Sequence, residues 1–98
     1  MKKPETVFRE GKVMPFIKKL PNTFHMSIQQ VAILGDPDII LCINGKFVSM
    51  ELKKDAKEKL RKLQALKARF IENAKGIALE VNPENWEETK VILKGLAK

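Results

Sequence analysis

Three residues in this sequence have types and positions suited to chemistry: Asp38, behind a proline in "GDPD", and Glu51 and Lys53 in "MELK". Two carboxylates held a few ångströms apart repel, and each favours protonation unless a cation sits between them. Their oxygens are hard donors suited to Mg²⁺ or Mn²⁺, and Mg²⁺ commonly takes one or two carboxylates, several waters and substrate phosphate oxygens. A cation so held polarises a phosphodiester and generates hydroxide from bound water. A neighbouring ammonium adds a point charge for the attacking water or for the charge that develops at phosphorus. The same residues also fit a plainer arrangement: Asp38 as a turn residue after Pro37, and Glu51 with Lys53 as a surface ion pair.

A hairpin would bring the three together. "IILCI" is a short β-rich run, Asn44-Gly45 is a strong two-residue turn signal, and "KFVSMELK" returns as its partner strand. Alternation sends Val48, Met50 and Leu52 to one face of that strand and Phe47, Ser49, Glu51 and Lys53 to the other. Glu51 and Lys53 then project side by side, ~7 Å apart along the strand. The pairing sets the start of the first strand, near Asp38, opposite the end of the second.

The other elements frame this hairpin. Residues 4 to 20 read as a helix with Pro4 in its first turn; Phe8, Val13, Phe16, Ile17 and Leu20 fall mostly on one side. Pro15 lacks an amide hydrogen and presses on the carbonyl of Gly11, which predicts a kink or break. Phe24, Met26 and Ile28 alternate with His25, Ser27 and Gln29, the period of a half-buried strand. Residues 56 to 75 read as the main helix, with Leu60, Leu63, Leu66, Phe70, Ile71 and Ala74 as its apolar stripe and Gly76 as its left-handed stop. "IALEV" is a further strand, joined by a crossover and so expected parallel to a hairpin strand. Asn85 is placed to cap a last helix from Trp86 to Leu96, with Glu88 completing a capping box and Trp86 a packing anchor. The expected fold class is α/β: a small mixed sheet flanked by helices, in the order α-β-β-β-α-β-α.

Composition sets the wider limits. With 98 residues, 44% apolar and 32% charged, the chain is expected to form one domain over 1–98 with a packed core and a charged surface. No apolar run approaches the ~20 residues that span a bilayer, and the start lacks a signal peptide's apolar region. Cys42 has no partner for a disulfide and lies in an apolar run, which reads as a core residue of a cytoplasmic protein. With one cysteine and one histidine, a structural zinc site is not expected. The net charge is +7, and between Lys53 and Lys75 nine basic residues face three acids, so +6 of it lies in one segment. That segment reads either as a solvated helix face or as a stripe for a polyanion, with Lys54, Lys57 and Arg61 as its nucleic-acid contacts. Gln29, Gln30 and His25 on the neighbouring strand fit a DNA-facing edge and a polar sheet face equally well. No base-reading helix stands out, which suits recognition by shape.

At "GDPD" with Gly35, Pro37 and Asp38, the turn glycine Gly45, "MELK", and Gln64 in "LQALKARFIENAKGIALEV", the chain resembles the virus-type replication-repair (VRR-NUC) nucleases of the PD-(D/E)xK superfamily. "PETVF" and "NPENWEE" extend the likeness over nearly the whole length. The resemblance implies a restriction-endonuclease-like core and a metal-dependent DNA endonuclease. Asp38 and Glu51 would hold Mg²⁺, with Mn²⁺ as a substitute, and the Leu52 carbonyl as a further ligand. Lys53 would position or activate water, and Gln64 would lie near the site. The family also sets a first-helix glutamate near the metal, mapped here to Glu5, with Glu10 as the substitute. Asp36 departs from the pattern as an additional carboxylate beside Asp38.

Small viral-type members are similar to Holliday-junction resolvases and act as homodimers. The reading is therefore a junction-resolving endonuclease of the cytoplasm (a host's, if viral) that takes branched DNA, with no small-molecule cofactor and no membrane. The alternatives are a nicking or flap-type nuclease and a non-catalytic, basic nucleic-acid-binding domain. For a dimer surface, the apolar positions of the first helix are the candidates.

Overall fold

The computed structural model describes residues 3–28, 37–57 and 62–98, apart from the side chain of Glu5. Its helical start comprises α1 (Pro4–Phe8), a π-helical segment (Arg9–Val13) and α2 (Met14–Lys19). The wider turn falls just before Pro15, where an α-helix would lose a donor and clash with the preceding turn, so the expected break is a local unwinding. Phe8, Val13 and Ile17 still point one way and are buried.

Four strands follow: β1 (Thr23–Ser27), β2 (Ile39–Ile43), β3 (Lys46–Leu52) and β4 (Ile77–Val81). They form one mixed sheet in the order β1-β2-β3-β4. β1 and β2 are antiparallel, as are β2 and β3, whereas β4 runs parallel to β3. Helix α3 (Lys62–Asn73) makes the crossover from β3 to β4, and α4 (Trp86–Ala97) ends the chain. Among the described residues, no helix is long and apolar enough to cross a membrane.

The core lies on one face of the sheet. Ile39, Leu41 and Ile43 of β2 and Val48, Met50 and Leu52 of β3 meet the first helix and α4 there, all buried. Trp86 anchors the helical layer, with Phe8 and Phe16 edge-on to it at centroid distances of 5.8 and 5.4 Å. Phe8, Val13 and Ile17 of the first helix are taken up by this core, whereas Val7 on the same helix stays open.

The hairpin turn is Asn44-Gly45, with φ of 50° and 82°. Both values are positive, the requirement of the tight turn that suits strand twist. Asn44 does more than turn. Its Nδ2 donates to the carbonyls of Leu96 and Lys98, each at 2.9 Å, and so fastens the hairpin to the end of α4. Asn22, also at positive φ, donates likewise to the Ala97 carbonyl at 2.9 Å. Asn44→Ala adds left-handed strain and frees two helix-terminal carbonyls, so it is expected to cost about 1–3 kcal/mol. A urea titration checks this: the midpoint should fall at unchanged slope.

Several local expectations need correcting. The left-handed residue after α3 is Lys75 (φ 73°), not Gly76. Gly76 is required for space, since a Cβ there would meet the Ile71 side chain at 2.9 Å. Asn85 precedes α4 but makes no side-chain cap bond to it. It exchanges bonds with Asn82 instead, each backbone N–H donating to the other's Oδ1, at 2.9 and 2.8 Å. Cys42 is exposed, not a core residue. The stripe on α3 is not buried either: Leu63, Leu66 and Phe70 are open, and the helix meets the sheet through Gln64, Ala68 and Ile71. On β1 the alternation is inverted, with Phe24 and Met26 exposed and Thr23, His25 and Ser27 half-buried.

Candidate active site

The site grows from the end of β3. Alternation turns Ser49 and Glu51 away from the core, toward α3. Glu51 and Lys53 retain only 7% and 6% of their surface, which rules out an exposed ion pair. A buried charge needs hydrogen-bond partners to offset lost hydration. Here one side chain serves both. Gln64 Nε2 donates to Glu51 Oε2 at 3.0 Å, and Lys53 Nζ donates to Gln64 Oε1 at 2.9 Å. The two partners fix which way the amide points, since its NH₂ can only donate and its oxygen only accept. Lys53 is held from the other side by its backbone N–H, which donates to the Val81 carbonyl at 2.8 Å.

Asp38 completes the edge. The β2–β3 register ends at Ile39↔Met50, and Asp38 lies just before β2, against the last residues of β3. Two bonds fix it there: its N–H donates to the Met50 carbonyl at 3.0 Å, and its Oδ2 accepts the Leu52 N–H at 2.8 Å. Asp38 therefore grips β3 on both sides of Glu51. In an extended strand the N–H and C=O of one residue leave on the same side, so the Leu52 carbonyl faces the Asp38 side.

Asp38, Glu51, Lys53, Leu52 and Gln64 are thus gathered at one sheet edge. Glu5 lies in α1 with its side chain outside the described atoms, and Glu10 is exposed in the π-helical segment. Gln29, Gln30, Asp36 and Arg61 fall outside the described residues. Lys54 and Lys57 are exposed just beyond β3, where the Lys57 N–H donates to Asp55 Oδ1 at 2.9 Å. Lys54 also lines a cleft of about 870 Å³ between the first helix and α4, together with Lys12 and Lys90. Lys90 is paired there with Glu87 at 2.8 Å.

Two residues of the neighbourhood escaped the sequence reading. Glu80 on β4 is in register with Glu51, and both line a recess of about 240 Å³ beneath α3. Lys67 lines the same recess. Their only signals were the alternation of "IALEV" and a helical step of three from Gln64.

The donors available for a metal are two carboxylates and a backbone carbonyl, all hard oxygens, which suits Mg²⁺ better than zinc or copper. Among the described residues, no group of three or more His, Cys, Asp or Glu side chains could hold a metal ion. A site here would therefore rest on Asp38, Glu51 and the carbonyl, with waters and phosphate oxygens filling the remainder. No protein-family model, curated protein or solved structure matches the chain.

Proposed function

We propose that the chain is a Mg²⁺- or Mn²⁺-dependent DNA endonuclease with a restriction-endonuclease-like core, of the virus-type replication-repair kind. In this reading it works as a homodimer on branched DNA, as a Holliday-junction resolvase. The observation that carries the proposal is the buried series Glu51–Gln64–Lys53 at the end of β3, with Asp38 clasping the strand opposite. Charges left by chance at a strand end stay in water. These are held dry, oriented by one amide, and set beside a second carboxylate.

Asp38, Glu51 and the Leu52 carbonyl would hold the metal, which when bound supplies Lewis acidity and a lowered water pKa. Lys53 presents its ammonium from a position set by Gln64, to orient the attacking water and balance charge developing on the phosphate. Gln64 bridges carboxylate and ammonium, bonding each at its own end of the amide. Lys54 and Lys57, outside the buried cluster, take backbone phosphates on either side of the scissile one. One such site cuts one strand, and paired incision across a four-way junction needs two sites related by a two-fold axis.

Synthetic four-way, flap, splayed and linear duplex DNA, each with Mg²⁺ and with EDTA, test the reading. The expected result is two symmetric nicks on four-way DNA, dependent on metal and lost in Asp38→Asn. Cutting confined to flaps or to linear duplex would redirect the assignment to a flap or nicking nuclease. Binding of every form with no cutting in Mn²⁺ would leave a basic DNA-binding domain.

A further inference from the structure

We infer that the cleft between the first helix and α4 takes one unpaired nucleotide of the DNA strand, with its base against the apolar walls and its phosphate on the lysines at the rim. The inference deepens the nuclease reading and rests on it, since it names an unstacked nucleotide beside the scissile phosphate as part of the substrate.

The cleft adjoins the candidate active site without sharing a side chain with it. Lys54 follows Lys53 directly, so their Cα atoms lie ~3.8 Å apart. Yet Lys53 is buried on Gln64, while Lys54 is exposed at the cleft. Pro83 enters the cleft just beyond β4, two residues after Val81, whose carbonyl accepts the Lys53 N–H at 2.8 Å. A strand whose scissile phosphate lies at Lys53 therefore brings a neighbouring nucleotide within reach of Lys54.

The lining has the two characters that a nucleotide presents. Pro4, Val7 and Pro83, with the remaining open surface of Phe8 and Trp86, give apolar walls. Val7 leaves 56% of its surface open there, although its neighbour Phe8 is buried in the core. Lys12, Lys54 and Lys90 add positive charge, against the Glu87 carboxylate, itself paired with Lys90 at 2.8 Å. A flat apolar ring that carries an anion matches both. A carboxylate-rich peptide would satisfy the lysines and leave the walls bare. The volume, about 870 Å³, falls in the ~300–1,000 Å³ range of sites that enclose small ligands. A base within a duplex has both faces stacked, whereas one at a branch or an end is already free to enter.

Gly11 shows that the space is kept open. It lies on the cleft wall in the π-helical segment, a widened turn of a kind frequent at functional sites. Glycine weakens a helix interior, and here neither backbone nor packing asks for it. Its φ is not positive, and among the described residues a Cβ built on it meets no packed neighbour within 4 Å. What a side chain would take up is room at the cleft.

Trp86, the chain's single tryptophan, lines the cleft and reports its filling. In EDTA, where nothing is cut, a single-stranded oligothymidylate should change Trp86 fluorescence saturably. The same strand with abasic sites throughout should bind at least ~10-fold more weakly and leave that fluorescence as it was. Gly11→Leu should lower the ratio of single-strand to linear-duplex affinity at least ~10-fold, at an unchanged salt slope because no charge is lost. Far-ultraviolet circular dichroism checks its fold. A wild type that binds the abasic strand as tightly as the intact one overturns the inference, as does a folded Gly11→Leu that keeps the ratio. Thymidine monophosphate that saturates Trp86 at the strand's own concentration would make the occupant a free nucleotide, and polyglutamate acting alone would make it an acidic protein; either result also overturns it. Should Gly11→Leu fail to fold, the abasic comparison on wild type decides. An empty cleft in a protein that cuts defeats this inference alone, and a filled cleft in one that never cuts defeats the nuclease reading alone.

Discussion

Glu51→Gln is expected to lower single-turnover cutting with Mg²⁺ by at least about 10³-fold, while DNA binding measured in EDTA holds or tightens. The substitution keeps the size of the side chain and lets its remaining oxygen accept the Gln64 Nε2–H that now reaches Glu51 Oε2 at 3.0 Å. What it removes is one negative charge from a nearly water-free position next to Glu80, its register partner on β4, and close to Asp38, which binds β3 at Met50 and Leu52. Like charges on adjacent strands destabilise a sheet, so the metal-free variant should unfold no more easily than wild type and gain up to ~1 kcal/mol. Metal reverses the order. A ligand that binds only the folded state stabilises it according to its concentration over its dissociation constant. Mg²⁺ or Mn²⁺ should therefore raise the melting temperature of wild type and leave that of the variant where it was. The two readouts are independent: thermal shift tests the metal site without DNA, and the rate tests whether that site cuts. A variant that cuts near the wild-type rate in Mg²⁺ would remove Glu51 from the site.

The local rules were sufficient wherever one element decides the outcome. Asn44-Gly45 supplies two residues tolerant of positive φ, and with them the β2–β3 register that brings Asp38 to the end of β3. Alternation along "KFVSMEL" sorts β3 into a core side and a site side. Partner choice is where they fell short. Periodicity on α3 says that Leu63, Leu66 and Phe70 favour burial, but not against which surface. The chain's own sheet presents Ser49, Glu51 and Ala78 to the helix, a narrow and partly polar strip. A face with Gln64 and Ala68 fits that strip, and the bulky stripe is left outward.

Glu80 was missed for a related reason. Its register with Glu51 is fixed by a crossover of some two dozen residues, and no local signal encodes it. Asn85 shows the converse error. An asparagine before a helix signals a cap, yet reciprocal bonding with Asn82 occupies the same side chain.

Lys53→Met is expected to reduce the cutting rate of the saturated complex by about 10²–10³-fold and to change DNA affinity by no more than about 3-fold. The contrast follows from burial. A lysine with 6% of its surface open, donating to Gln64 Oε1 at 2.9 Å, adds little to the field that gathers DNA from solution. Its charge matters at the atoms that react. Lys54→Ala and Lys57→Ala should behave in the opposite sense, because both side chains are exposed. Each should weaken binding on all DNA forms and lower the salt slope by about 1, with little change in rate at saturation.

Arginine should not replace Lys53. A planar fork with five donors does not fit where a single ammonium meets one amide oxygen, so Lys53→Arg should stay close to Lys53→Met in rate. Gln64→Leu then tests the linkage between the two. If the amide acts by positioning the ammonium, the losses from Lys53→Met and Gln64→Leu overlap, and the double variant is hardly slower than the worse single one. Groups in one network couple by about 0.5–3 kcal/mol, whereas independent ones add. Full additivity would mean that Gln64 serves Glu51 alone. A Lys53→Met enzyme that reaches the wild-type rate once saturated would make Lys53 a phosphate-holding cation with no part in the chemical step.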